Sequence, residues 1–290
     1  MRNKFLASQI YALMTVFLWA TTYVFTKISL SFFSAAALGL IRCSVASLFL
    51  ALLVFVTRLP PPGRNDVPWF LFSGLVGFTF YLIAFNTGSS LLNATTACVL
   101  ISMSPIITAL LARLAFGERL SGRQWFATGL AFCGVLILSL WNGEFSVSPG
   151  LAWMLTATLL ISAHNIVQRA LSRRFTALAI TAYSYFAGTA FLLVFLPEAS
   201  EQLRVAPPSQ VALVCYLGIF PGSMAYFFWG KALSIAPKTS NVTNYMFLTP
   251  FLALVLDYAV TGAFPGTATF AGGSVILTGL LIFQSSRRSE

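Results

Sequence analysis

Apolar runs of about twenty residues, each closed by proline, glycine or charge, follow one another along the whole of this chain. A helix needs about 20 residues at 1.5 Å each to cross the roughly 30 Å hydrocarbon layer of a bilayer. Runs of that length place spans near 8–27, 34–57, 68–88, 92–115, 124–141, 150–169, 176–196, 210–231, 239–261 and 268–285. The breaks are physical: Pro60, Pro61, Pro62 and Gly63 cannot continue a helix, Gly117 and Gly122 bracket the loop around Glu118, and Pro207 and Pro208 end the longest outer loop. With 58% apolar and only 8% charged residues, a water-soluble domain is excluded, since soluble chains carry roughly 25% charge. The expected fold class is an all-α integral membrane protein of ten transmembrane helices.

The net charge of +10 is distributed as a topology signal and not as a nucleic-acid footprint. With a cytoplasmic N-terminus, inner loops and tails hold Arg2, Lys4, Arg58, Arg64, Arg113, Arg119, Arg123, Arg169, Arg173, Arg174, Lys231, Lys238, Arg287 and Arg288, which are 14 of the 17 basic residues. Lys27 and Arg204 fall outside, and Arg42 lies within the second span. Basic residues gather on the cytoplasmic side, so both termini are expected there. Cys43, Cys98, Cys133 and Cys215 sit in apolar runs without metal-type spacing and read as packing residues. The first span follows Arg2 and Lys4 without a small-residue cleavage pattern, so it is expected to stay in the mature chain.

Sliding the chain against itself by 145 residues aligns the third to fifth spans with the eighth to tenth without a gap. Gly77 meets Gly222, Tyr81 meets Tyr226, Ser89 meets Ser234, Pro105 meets Pro250, Gly117 meets Gly262 and Gly134 meets Gly279. Thr95 meets Ser240, and Ser104 meets Thr249. A shift of 142 pairs Lys27 with Arg169. The expected domains are therefore residues 1–143 and 144–290. Five spans is an odd number, so the second half enters the bilayer from the opposite face, and the two five-helix repeats are inverted. Inverted repeats are a recurring plan of secondary transporters.

At this point the sequence resembles the drug/metabolite transporter superfamily in its ten-helix, EamA-type branch, over nearly the whole chain. The resemblance is carried by Trp19-Ala20, Arg42, Tyr81, and the stretch from Ala94 through Pro105 to Gly117-Glu118, echoed from Thr239 through Pro250 to Gly262. Departures are Ala20, where a glycine often follows the tryptophan, and Ala263, where the second half would repeat Glu118. Aromatic richness and length look most like bacterial aromatic amino acid exporters of the YddG type. The resemblance implies export across the bacterial inner membrane and a central ring of helices one, three, four, six, eight and nine. Small proton-coupled multidrug members depend on a membrane glutamate in the first span, and this chain has no acid there.

Pro105 and Pro250 fall near mid-bilayer, and each deprives a carbonyl, on Ile101 and Met246, of its helical donor. Two kinks at one repeat position point to a shaped central cavity, with Gly77 and Gly222 as further hinges. Around that depth the candidate substrate-binding residues are Trp19, Thr22, Tyr23, Tyr81, Ser102, Ser104, His164, Asn165, Tyr226, Trp229, Asn244 and Tyr245. His164, the only histidine, is a candidate for binding a carboxylate or carrying a proton, with a neutral imidazole bonded to serine or asparagine as its resting form. Arg42 and Asp257 lie toward the outer ends of their helices, which points to a structural ion pair, with direct substrate binding as the alternative.

Phosphate esters need basic groups at the centre to replace lost solvation, and only Arg42 is clearly within a span. Neutral, zwitterionic and aromatic solutes fit better, because rings stack on Trp and Tyr faces while carbonyls and hydroxyls take an ammonium group. No HExxH, GxSxG or pair of mid-membrane aspartates occurs, so an enzyme is not expected. No cofactor is implied. The expected function is an inner-membrane secondary exporter of small metabolites by alternating access, aromatic and other neutral amino acids first. The competing readings are a proton-coupled multidrug exporter of the same superfamily and, from another class, a channel or membrane enzyme. The expected partners are the small-molecule substrate and membrane lipid, and a monomer is compatible with the sequence.

Overall fold

In the computed structural model the described residues are 2–117, 119–141, 148–235, 244–262 and 264–286. Glu118, Lys238, Thr239, Ser240, Ala263, Arg287, Arg288 and the boundary between 143 and 144 lie outside them. Ten helical segments follow in order: α1 (Arg2–Ser29), α2 (Ala35–Thr57), α3 (Val67–Leu91), α4 (Ala94–Phe116), α5 (Gly122–Leu140), α6 (Pro149–Leu171), α7 (Ala177–Val205), α8 (Pro208–Ile219, continuing through Phe220–Met224 to Ala225–Ile235), α9 (Leu248–Thr261, preceded by a 3-10 turn at Asn244–Phe247) and α10 (Thr267–Ser286). Seven of them, α1–α4 and α6–α8, are long and apolar enough to cross a membrane, while α5, α9 and α10 carry shorter apolar helices.

The helices start where side chains can satisfy the first backbone N–H groups. Ser34, Asn93, Ser121, Ser148 and Thr176 each accept a bond from the amide three residues on, and Ser121 and Gln124 form a reciprocal capping box. Such caps contribute about 1 kcal/mol each. Gly117 and Gly262 end α4 and α9 in the left-handed conformation, both at φ +68°, where a Cβ would strain the backbone.

The structure extends α7 beyond its expected end at 196. A 3-10 turn at Leu193–Phe195 leads into a last helical piece, Leu196–Val205, so part of the expected outer loop is helical. Pro197 sits in the first turn of that piece, where its missing N–H costs nothing. Glu198 in that turn and Arg204 in the last one match the helix dipole. The Gln202 side chain accepts a bond from the Ser34 amide at 3.0 Å, which ties this piece to the start of α2.

The surface is rich in exposed large apolar side chains, unlike that of a soluble fold, and the largely apolar interior also holds polar ones. Phe55 and Leu114 are each 81% exposed, while Thr15, Ser73, Asn86, Thr158 and Ser184 are fully buried. The tryptophans divide in the same way. Trp69, Trp125, Trp141 and Trp153 are exposed near helix ends, where an interfacial aromatic belt forms, whereas Trp19 and Trp229 face each other inside the bundle at 5.2 Å.

Backbone irregularities recur 145 residues apart. A π-helical turn at Leu75–Phe80 within α3 has its counterpart at Phe220–Met224 within α8, and Gly117 has its counterpart in Gly262. Packing follows the same exchange. Replacing each helix by the one five places along turns the pair α3 and α6 into α8 and α1, α4 and α6 into α9 and α1, and α3 and α7 into α8 and α2. The pairs α2 and α7, α4 and α9, and α5 and α10 map onto themselves. The last of these is built on backbone contact: a Cβ on Gly134 would stand 2.6 Å from the Gly272 carbonyl, and one on Gly272 2.7 Å from that of Gly134.

Candidate functional site

A cavity of about 250 Å³ opens between α2, α7 and α8, with Leu50, Leu53, Thr181, Ser223, Tyr226 and Lys231 in its wall. Each helix lines it with one stripe: Leu50 and Leu53 on α2, Ala177 and Thr181 on α7, Ser223, Tyr226 and Gly230 on α8. The stripes have helical spacing. Continued inward they reach Ala46 and Arg42 on α2 and Tyr185 on α7. The mouth lies where α2 ends and α7 begins.

Of the sequence-derived candidates, Tyr226 lines this cavity, and two others join it through ring contacts. The Trp19 ring meets Tyr226 edge-on at 5.7 Å and Trp229 at 5.2 Å. Tyr245 and Trp229 pack against buried Ala12 and Ala232. Asn244 opens the 3-10 turn before α9, and its side chain lies outside the described residues. These aromatics gather at one place from α1, α8 and the turn before α9 because Ala12 and Ala232 let α1 and α8 approach closely.

A second group forms around Tyr23 and Tyr81, both of which pack on Phe85, at 5.6 Å each. Thr22 and Ser102 turn back on their own helices, bonding the carbonyls of Leu18 at 3.4 Å and Cys98 at 2.8 Å. Asn165 donates to Thr108 Oγ1 at 3.2 Å, and the Ser104 carbonyl accepts from Ser162 at 3.1 Å. These contacts join α4 to α6.

His164 is placed apart from the cavity, 4% exposed between α3, α6 and α7. Its Nδ1 bonds Ser73 Oγ at 3.2 Å, and Ser184 donates to Ser73 at 2.8 Å. The ring lies against Gly77 at the π-turn and meets Phe78 edge-on at 5.3 Å. The second π-turn holds Gly222, above which the Tyr185 hydroxyl sits. Pro221, at the start of that turn, has no N–H to offer the regular ladder.

Pro105 does not kink an unbroken helix. It sits in the first turn of a new segment, Ser104–Phe116, after α4 breaks at Ser102 and Met103. Pro250 likewise falls near the start of α9. A proline is accommodated there without losing a hydrogen bond.

Arg42 and Asp257 do not pair. Asp257, 4% exposed, accepts from Thr95 at 3.4 Å and from Thr261 at 3.2 Å, tying α9 to α4. Arg42 is 7% exposed, and its Nε and Nη1 are buried without a hydrogen-bond partner. Its guanidinium lies within electrostatic range of Tyr81, Tyr185 and Tyr226. Sequence reasoning singled out neither Tyr185 nor Pro221, nor the part α2 and α7 play in the cavity wall. Arg42 as an intramembrane cation was the one available signal.

The model of the EamA-like transporter family matches residues 6–140 and again residues 148–284. The "Probable terminal-alkyne amino-acid exporter" of Streptantibioticus cattleyicolor is 28% identical over 283 residues, 96% of this chain and 94% of that one. The transporter YdfC of Bacillus subtilis is 28% identical over 281 residues, 97% and 92% of the two chains. The "S-adenosylmethionine uptake transporter" of Rickettsia conorii is 25% identical over 220 residues, 76% and 70%. A solved crystal structure with 17% identity superposes at a TM-score of 0.65 over 98% of both chains, a likeness of fold alone.

Proposed function

The chain belongs to the EamA-like transporter family, and on that premise we propose that it carries amino acids outward by alternating access, aromatic and other neutral ones first. It is a multi-pass protein of the bacterial inner membrane, and its family and relatives are transporters of small molecules. The observation that carries the finer reading is Tyr226 in the wall of a cavity of about 250 Å³, with the Trp19 ring against it and Trp229 against Trp19. That is close to the roughly 300 Å³ lower end of small-molecule pockets. Rings at these spacings accept another ring by edge or face and an ammonium group by its charge. The exporter of Streptantibioticus cattleyicolor and the uptake transporter of Rickettsia conorii are named for compounds that share an α-ammonium and a carboxylate.

In this reading ten helices cross the bilayer with both termini in the cytoplasm, as two inverted repeats spanning 1–143 and 144–290. Support comes from the one-sided basic residues, from the family model matching twice, and from the π-turns and packing pairs that exchange between halves. The cavity mouth then faces the cytoplasm. The π-turns, with Gly77 and Gly222, are the places where α3 and α8 bend as access alternates, since single π-turns mark sites of adjustment in a helix. Pro105 and Pro250, each opening a helical segment, let the halves of α4 and the start of α9 move against it. The chain does no chemistry on its substrate.

Uptake into proteoliposomes of radiolabelled Phe, Trp, Thr and a cationic dye, with and without a pH gradient, tests the proposal. Saturable transport of amino acids that outpaces the dye is expected. Transport of the dye alone, driven by the gradient, contradicts it.

A further inference from the structure

We propose that Arg42 is the residue that binds the substrate's carboxylate, an inference that rests on the amino acid reading above. A guanidinium stays charged in any protein, and its charge is expensive to hold in the membrane interior unless something answers it. Arg42 is 7% exposed, two of its N–H-bearing nitrogens are buried without partners, and Asp257, the acid that the sequence suggests as its partner, is engaged by Thr95 and Thr261 instead. The fold leaves a fork of donors open in the one chemistry that matches a carboxylate in two-pronged geometry.

Position supports the same occupant. Arg42, Ala46 and Leu50 recur every four residues along one face of α2, and Leu50 lines the cavity. Eight residues at 1.5 Å place Arg42 about 12 Å farther in along the helix. At that level α2 meets α8 closely: a Cβ on Gly218 would stand 2.9 Å from the Arg42 carbonyl, and Ser223 donates to the Ala46 carbonyl at 3.4 Å. Arg42 therefore lies inward of the residues that line the cavity, and Tyr226, one of those residues, is within range of its charge. An amino acid entering from the mouth meets Tyr226 with its side chain and, farther in, Arg42 with its carboxylate.

The test compares L-phenylalanine and L-threonine with their amides, which keep the shape and lose the negative charge. Wild-type protein, Arg42→Gln and Arg42→Lys are reconstituted at equal amounts after each is shown monodisperse in detergent. A hydrogen-bonded charge pair accounts for about ten- to hundred-fold in binding. Arg42→Gln is therefore expected to lower transport of the acid by that factor and leave the amide unchanged, and Arg42→Lys to retain an intermediate rate. In detergent, the acid but not the amide should raise the melting temperature of wild-type protein, and Arg42→Gln should abolish the rise. Equal loss of acid and amide, or an unchanged acid rate and melting shift, overturns the assignment while leaving the amino acid reading in place. Wild-type protein that neither carries nor is stabilised by either amino acid overturns both.

Discussion

Gly134→Leu leaves almost no monodisperse protein in detergent extracts of the membrane. Between two helices in lipid there is no hydrophobic drive to associate, so close packing of small residues does that work. Here α5 and α10 approach so nearly that a Cβ on Gly134 would stand 2.6 Å from both the Gly272 carbonyl and the Ile276 side chain, and 2.9 Å from the Ile276 amide. Two of those neighbours are backbone atoms of a helix and cannot turn aside. Gly279 repeats the arrangement along the same seam, where a Cβ would stand 2.8 Å from the Ala127 carbonyl. Overpacking costs about 1–3 kcal/mol where a core can yield, and the leucine asks two backbones to part. Gly129→Leu is the control on the same helix, because a Cβ there meets open space and extraction should match wild type. Equal yields for the two variants, read by fluorescence-detected size exclusion, contradict the packing described.

Gly77→Ala has the second-largest expected effect. A methyl at Gly77 overlaps the His164 ring, and the ring is held by Ser73 and Phe78, so it cannot swing clear. A loss of about 1–3 kcal/mol follows, seen as a lower melting temperature and lower transport together. Removing the imidazole makes room. The double variant Gly77→Ala, His164→Ala should therefore melt above Gly77→Ala alone, since residues in contact couple where distant ones add. A double variant no more stable than Gly77→Ala indicates that the glycine is required for the π-turn itself and not for the ring it receives.

The helices and their breaks were legible because they rest on local properties: run length, proline and glycine at the ends, and capping residues such as Ser34, Asn93 and Thr176. The end of α7 was not, because Leu196–Val205 is an amphipathic piece that becomes a helix through Pro197, its dipole-matched charges and its contact with α2. The π-turns could not be read either. They depend on which carbonyl each amide selects, and only their glycines and Pro221 leave a trace in the sequence. At the site, the pairing of Trp19 with Tyr226 and Trp229 lay within the candidate set, since all three share a depth. Depth does not fix direction, however. Ser102, Thr22 and Asn165 at similar depth spend their polar groups within and between helices. His164 was singled out for being ionisable, and its place is set by a glycine on another helix. Arg42 was seen but given to Asp257, because distance between helices is invisible in one dimension. The structure separates the two and leaves the guanidinium Nε and Nη1 buried without a partner.

In the proposed cycle one amino acid site is exposed alternately to the two faces of the membrane. Counterflow measures it most directly: proteoliposomes loaded with unlabelled phenylalanine or threonine take up the labelled compound from outside. A carrier accelerates that uptake over empty vesicles and saturates with outside concentration, because the loaded site returns faster than the empty one. A rate that grows linearly with concentration and ignores the internal load describes an open pore and contradicts the account.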